Sequence, residues 1–284
     1  MRVTQSMLSN NMLRNVSTSY NKMGKLQDQI TTGKKVNRPS DNPVVAMKGM
    51  GYRMTVDKVA QYQENLGEVN NWLDSSDDAL DKVGQAMHRA RELVTSAANG
   101  TMTPEDKKKV QSELDQLREH IQNLANTKVG DKYIFSGTKT AKPFHNGTDY
   151  EPDAAFSEKV EIEVFDGVMM IVNTDVTKLF KDIDEVFNEF GPDTDFSAAI
   201  AKIDANMDEV LTTRANIGAR QNRVEMMGNR LESQEAAAKK QMSENEDIDY
   251  EKVITEMITQ ESIHRAALSV GSRIIQPSLV DFLR

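Results

Sequence analysis

Residues 59–98, VAQYQENLGEVNNWLDSSDDALDKVGQAMHRARELVTSAA, decide the fold. Alternating steps of three and four through this stretch give Val59, Tyr62, Leu66, Val69, Leu73, Ser76, Leu80, Val83, Met87, Ala90, Val94 and Ala97, apolar everywhere except Ser76. Residues three and four apart share one face of an α-helix, so this period marks a helix with a continuous buried stripe. Upstream, Asn42 and Pro43 supply an N-cap and a proline at the first helical position; downstream, Asn99 and Gly100 supply a stop. The spacing predicts one helix from Pro43 to Ala98, roughly 80 Å long at about 1.5 Å per residue. The expected fold is mainly α: an elongated antiparallel long-helix bundle, a rod with coiled-coil terminal helices and a small β-rich insertion.

Past the stop, Thr103, Pro104 and Asp106 form a capping pattern for a third helix striped by Val110, Leu114, Leu117, Ile121 and Leu124. The short connection implies an antiparallel hairpin with the long helix. After Gly130 the period changes. Tyr133, Ile134 and Phe135 form an apolar run, and Val160, Ile162 and Val164 alternate with glutamates before Asp166-Gly167 and the run Val168 to Val172. Residues 159–172 therefore read as a hairpin on a two-residue type I′ turn. Helical spacing returns at Val176, Leu179, Phe180, Ile183, Phe187 and Phe190, before Gly191-Pro192. A last long helix from about Phe196 to Met242 carries Ile200, Ile203, Met207, Val210, Ile217, Val224 and Leu231, and the acidic run Ser243 to Asp249 marks a joint. The expected parts are 1–42, an assembly helix and joint; 43–130 and 196–245, the two halves of the rod; 131–195, the insertion; and 246–284, a second assembly helix.

Both ends carry apolar seams. A first helix from about Thr4 to Thr32 places Met12, Val16, Met23, Leu26 and Ile30 on the a/d positions of a heptad broken by Ser19, with Gly33 in the C′ position. Near the other end, Ile254, Leu268, Ile275 and Phe282 share one heptad position broken by Glu261, and Met257 joins the same assembly seam. Five buried apolar side chains at about 1.5 to 3 kcal/mol each give about 10 kcal/mol. Ordering nearly thirty residues costs about 1 to 2 kcal/mol for each backbone. The arms are thus expected to be weakly ordered in a free monomer and to become ordered against neighbours.

Composition agrees. The 284 residues are 38% hydrophobic and 6% aromatic with 16 methionines, a poor supply for one compact core and a good one for long helices with narrow stripes. Residues 1–60 hold ten Lys/Arg against three Asp/Glu, and residues 241–284 hold four against eight, so the two arms are electrostatically complementary. The overall charge of −9 argues against nucleic acid. With no cysteine, disulfides, thiolate metal sites and thiol nucleophiles are excluded. No apolar run is long enough to insert in a membrane and no secretory signal opens the chain, which by itself predicts a cytoplasmic protein.

Several stretches carry the residue types of a functional site without completing one. His88 and Glu92 have metal-ligand spacing but no third ligand, and suit a helical ion pair; Asp74, Ser76 and Asp78 lack the glycine of a calcium loop. Gly49 and Gly51 follow no strand, and close helix packing explains them better than a dinucleotide loop. Asn99-Gly100-Thr101 and Asn146-Gly147-Thr148 fit a glycosylation pattern and serve equally as turns. No enzyme and no cofactor are expected.

Thr32 to Pro43, TGKKVNRPSDNP, with Asn37, Arg38, Pro39, Ser40, Asp41 and Pro43 at its centre, resembles the flagellin superfamily, and its Arg-Pro-Ser-Asp form resembles the hook–filament junction members of that superfamily. Ile217 to Arg223, IGARQNR, and Pro277 to Leu283, PSLVDFL, are similar to the same group, with Val280 standing where leucine is common. The resemblance implies a secreted structural subunit of the extracellular flagellum, arranged with itself in a ring between a hook-associated protein and flagellin. It reverses the cytoplasmic expectation, since such proteins leave through the flagellar export apparatus. It also implies a cytoplasmic export chaperone on the C-terminal arm, by analogy at Ile254, Met257, Ile258 and Leu268. A minor flagellin is the near alternative and a non-flagellar coiled-coil binding module the distant one.

Overall fold

The computed structural model describes residues 5–98, 103–147, 150, 157–190 and 196–275. In chain order these form α1 (Gln5–Thr32), α2 (Pro43–Ala98), α3 (Pro104–Ala125), β1 (Lys128–Val129), β2 (Lys132–Tyr133), β3 (Glu161–Phe165), β4 (Val168–Ile171), α4 (Thr177–Asn188), α5 (Phe196–Glu246) and α6 (Tyr250–Ile275). The chain divides into two compact units, one from residues 58–234 and the other from residues up to 57 together with those from 235 onward.

The unit of residues 58–234 holds the main hydrophobic core. Every member of the α2 stripe from Val59 to Ala97 is buried, and Ser76 satisfies its hydroxyl by donating to the Trp72 carbonyl at 2.8 Å. Trp72, Ala79, Ala86 and Leu93 are buried as well, so α2 is covered over a wider face than one seam. Thr103 caps α3, accepting from the Asp106 N–H while its hydroxyl donates to the Asp106 carboxylate. Arg89 of α2 pairs with Glu113 of α3 at 2.8 Å. On α5, Ile203, Val210, Ile217, Val224 and Leu231 are buried at the expected heptad spacing. Arg214 forks onto Asp77 and Asp81 at 2.8 and 2.6 Å, Gln221 reaches Asp74 and Arg91 reaches Asp204, so α2 and this part of α5 run antiparallel.

The insertion is an aromatic cluster under two hairpins. Phe135, Phe144, Tyr150 and Phe180 meet at ring distances of 5.4 to 6.1 Å, and the Trp72 indole donates to the Ile134 carbonyl. All six apolar residues expected in and around α4 are buried. Two local expectations change. Between β3 and β4 only Gly167 has a positive φ, 70°, whereas a type I′ turn needs φ above zero at both central residues; the register also shifts between Glu163 and Phe165. The β1–β2 hairpin, turning at Gly130 with φ 58°, was not expected, because two-residue strands are too short to show alternation. The expected stops at Asn99-Gly100 and Gly191-Pro192 lie outside the described residues.

Candidate functional site: the paired terminal helices and their joint

α1 and α6 form an antiparallel pair within the second unit. Met12 lies across Gly271 at one end, where an added Cβ would overlap the methionine side chain, and Tyr250 lies across Gly33 at the other. Stepping inward from either contact gives the same register: Val16 faces Ala267, Ser19 faces His264, Met23 faces Gln260, Leu26 faces Met257 and Ile30 faces Val253. On α1 the residues expected on the assembly seam lie on the face turned to α6. Met12, Val16, Met23, Leu26 and Ile30 are all partly covered and Ser19 is buried. On α6 the heptad position differs. The face turned to α1 is Val253, Met257, Gln260, His264, Ala267 and Gly271, while Ile254 is 44% and Leu268 50% exposed. Among Ile254, Met257 and Leu268 of the expected α6 seam, Met257 is the one on the face turned to α1; a rule favouring the largest apolar residues selects Ile254 and Leu268, yet close helix approach favours the small Ala267 and Gly271. Ile275 ends α6 and Phe282 lies outside the described residues, as does the Pro277 to Leu283 segment.

The joint connects these helices to their neighbours in the same unit. Gly33, with φ 69°, terminates α1 and its N–H donates to the Gln29 carbonyl. The chain then pairs with the segment after α5: the Lys35 N–H donates to the Glu246 carbonyl at 2.6 Å and the Ile248 N–H to the Gly33 carbonyl at 3.0 Å. The motif residues build the turn that follows. Thr32 donates to Asn37 Oδ1, Lys25 pairs with Asp41 at 2.9 Å, the Asp41 N–H closes on the Arg38 carbonyl, and Asn42 caps α2 at Val44 and Val45. Pro39 and Ser40 are exposed, and Pro43 is the first residue of α2.

At the centre stands Glu246, a member of the acidic run expected as a joint. α5 continues through Ser243 to Glu246, so the joint shrinks to Asp247–Asp249, and the Glu246 side chain is only 9% exposed. Its Oε2 receives Arg53 at 2.7 Å and Lys34 at 3.3 Å, and Lys34 also pairs with Asp247 at 2.7 Å. Gly49 leaves the space the carboxylate fills, because a Cβ there would overlap it. Burial alone would raise the Glu246 pKa, but the hydrogen bonds from Arg53 and Lys34 hold it below the usual carboxylate value. The Lys34 ammonium and the Ser243 hydroxyl lower Asp247, and Asp247 in turn raises Lys34. Asn245 adds a hydrogen bond to the Val45 carbonyl. No sequence rule pairs residues about two hundred positions apart; Gly49 and Arg53, one turn apart on α2, were the available hint.

Apolar surface remains uncovered on this unit. Ile254, Ile258 and Leu268 line one flank of α6, and Val44, Met47, Met50 and Met54 make an exposed face on the first turns of α2. A shallow groove beside the seam is lined by Lys22, Lys25 and Leu26 of α1 and Thr255, Glu256 and Thr259 of α6. Among the described residues no cluster of three metal-ligating side chains occurs, and no helix is long and apolar enough to cross a membrane. In the other unit, the Ile217 to Arg223 segment lies on α5. Ile217 is buried there, and Arg220 donates to the Asn173 carbonyl at 2.8 Å.

Two family models match the sequence, the bacterial flagellin N-terminal helical region over residues 3–140 and the bacterial flagellin C-terminal helical region over residues 200–283. The flagellar hook-associated protein 3 of Escherichia coli (strain K12) is 25% identical over 300 residues, spanning 94% of this chain and 95% of that protein. The protein of the same name from Salmonella typhimurium is 24% identical over 313 residues with the same coverage of each. Among solved structures, a flagellar hook-associated protein assigned in Vibrio parahaemolyticus superposes with a TM-score of 0.65 at 25% identity, covering 73% of this chain and 100% of that one.

Proposed function

This chain belongs to the bacterial flagellin family, and we propose that within it the chain is the structural subunit joining hook to filament, assembling through α1 and α6 after export. The observation that carries this reading is the similarity to hook-associated protein 3, which extends over 94% of the chain, while the two family models reach both terminal helices and the joint. The geometry supports it. An antiparallel pair of helices whose flank still exposes Ile254, Ile258 and Leu268 is half of a larger packed structure, and contiguous exposed apolar faces mark interaction surfaces. Neighbouring copies in a ring would cover these flanks, with a hook-associated protein on one side and flagellin on the other. Before export the same apolar flank, including Ile254, Ile258 and Leu268, would be covered by a cytoplasmic chaperone; the mature location is the extracellular flagellum. The role is structural, and no reaction is assigned to the chain.

The test is deletion of its gene in the bacterium that makes it. Hooks should then lack filaments, with flagellin shed into the medium, and the full chain should restore attachment. Restored filaments carrying the chain along their length, rather than at the hook, would favour a minor flagellin instead.

A further inference from the structure

Met47, Met50 and Met54 are 62%, 55% and 71% exposed, three thioethers on one face of the first turns of α2. Steps of three and four residues set them within an arc of about 60°, and the Cβ of Met50 stands about 5 to 6 Å from those of the other two. The opposite side of these turns is the packed one: Asn245 bonds the Val45 carbonyl, and Gly49 and Arg53 meet the Glu246 carboxylate. Beside the methionines, Gly51 has nothing within 4 Å of where its Cβ would stand, so the face is open there. The charges around it suit a cation. Asp57 follows Met54 by three residues on the same side and is in no ion pair among the described residues. Arg53 is held by Glu246 and Lys58 by Asp166, while Lys48 is turned about 100° or more away from all three methionines. No thiolate competes, because the chain has no cysteine, and the other exposed methionines among the described residues, Met7, Met169 and Met226, are exposed singly.

We propose that Met47, Met50 and Met54 form a binding site for a soft monovalent cation, Cu(I) or its redox-inert stand-in Ag(I). Thioether sulfur is a soft, uncharged donor, which selects Cu(I) over the harder divalent ions that want carboxylate, water or imidazole. Methionine is unbranched with three rotatable bonds, so sulfurs one helical turn apart converge on one ion without movement of the backbone. The ion also acts on the helix. Gly49 and Gly51 lie inside the stretch it spans, and glycine gives up more backbone freedom than any other residue on becoming helical. Three sulfurs on one ion therefore tie together turns that are weakly held by their own sequence. The site goes beyond the junction role and does not rest on it, since the ligands all belong to one helix of one copy.

Titration of the full chain with Ag(I) in chloride-free buffer, and with Cu(I) under anaerobic conditions against a chromogenic Cu(I) chelator, tests it. With the methionine methyls labelled with carbon-13, those of Met47, Met50 and Met54 should shift together and saturate at a single equivalent. Amides of this stretch should exchange several-fold more slowly with the ion bound. The Met47→Leu/Met50→Leu/Met54→Leu variant keeps the apolar volume and removes the sulfurs, so it should fold as the parent does and lose about tenfold or more in affinity. The Met7→Leu/Met226→Leu variant should bind as the parent does, and Zn(II) should leave the three methyls where they are. Undiminished binding by the triple leucine variant, methyl shifts spread evenly over all exposed methionines, or an equal response to Zn(II) would overturn the site and mark the ion as adventitious. Because leucine keeps the face apolar, filament attachment by the triple variant reports on the junction function separately from ion binding.

Discussion

Gly49 of α2 gives up its side chain to Glu246 of α5: the carboxylate occupies the position a Cβ would take, and from there it receives both Arg53 and Lys34. Two glycines two residues apart thus have different meanings. Gly51 has open space around it. Alanine at an unobstructed helical glycine stabilises by about 0.5 to 1 kcal/mol through backbone entropy, so Gly51→Ala should raise the melting temperature slightly. Gly49→Ala should lower it, with a loss of about 1 to 3 kcal/mol in stability, because the new methyl displaces a carboxylate held in two ion pairs. Thermal melts of the two variants side by side check the contrast, and equal behaviour would show that Glu246 moves aside freely.

The same carboxylates set an acid limit. Glu246 and Asp247 have lowered pKa values in the folded chain, so the stability they contribute is full above their ordinary values of 4.5 and 3.8 and is lost as pH falls through the lower folded values. Lys34 is raised above its ordinary 10.5, so its contribution is full below that pH and lost only above it. Between these limits the joint should be insensitive to pH. Proteolysis at residues 243–249, followed from pH 7 down to pH 3, should accelerate in the acid range in the parent chain. In Glu246→Gln, cleavage should already be faster at pH 7 and its acid dependence shallower.

Leu73 is fully buried midway along the α2 stripe. Leu73→Ala removes three carbons and leaves a cavity, with an expected loss of about 2 to 5 kcal/mol of stability. Chemical denaturation should show this loss in the 58–234 unit, while the α1–α6 pair, which does not contain the residue, keeps its own exchange rates.

The long elements were legible because their packing is local and periodic. The α2 stripe needs nothing beyond the spacing of its own apolar residues, and the α2 boundaries follow from Asn42-Pro43 at one end. The α1 residues that face α6 follow the same periodic spacing. Which α6 residues face α1 was less legible, since Ile254 and Leu268 satisfy a heptad as well as Val253 and Ala267 do, and only the surface of α1 decides between them. The surroundings of Glu246 were not legible, because Arg53 and Lys34 are brought to it only by the fold. The turn at Gly167 depended on the sign of φ at Asp166, which a type I′ turn requires to be positive and which is not positive in the fold.

Leu26 and Leu268 separate the two jobs of the terminal helices. Leu26 faces Met257 inside the α1–α6 seam, whereas Leu268 is 50% exposed on the outer flank of α6. Leu26→Asp places a charge within the pair, so the free chain should lose helical circular dichroism from α1 and α6 and fail to restore filament attachment. Leu268→Asp adds a charge to a solvated surface, so the free chain should melt within about 0.5 kcal/mol of the parent. Yet if the outer flank is where a neighbouring copy packs, the same substitution buries an unpaired carboxylate on assembly and should abolish attachment as completely as Leu26→Asp. A chain that carries Leu268→Asp and still joins filament to hook would confine the assembly surface to the seam and leave the exposed isoleucines of α6 without a role in it.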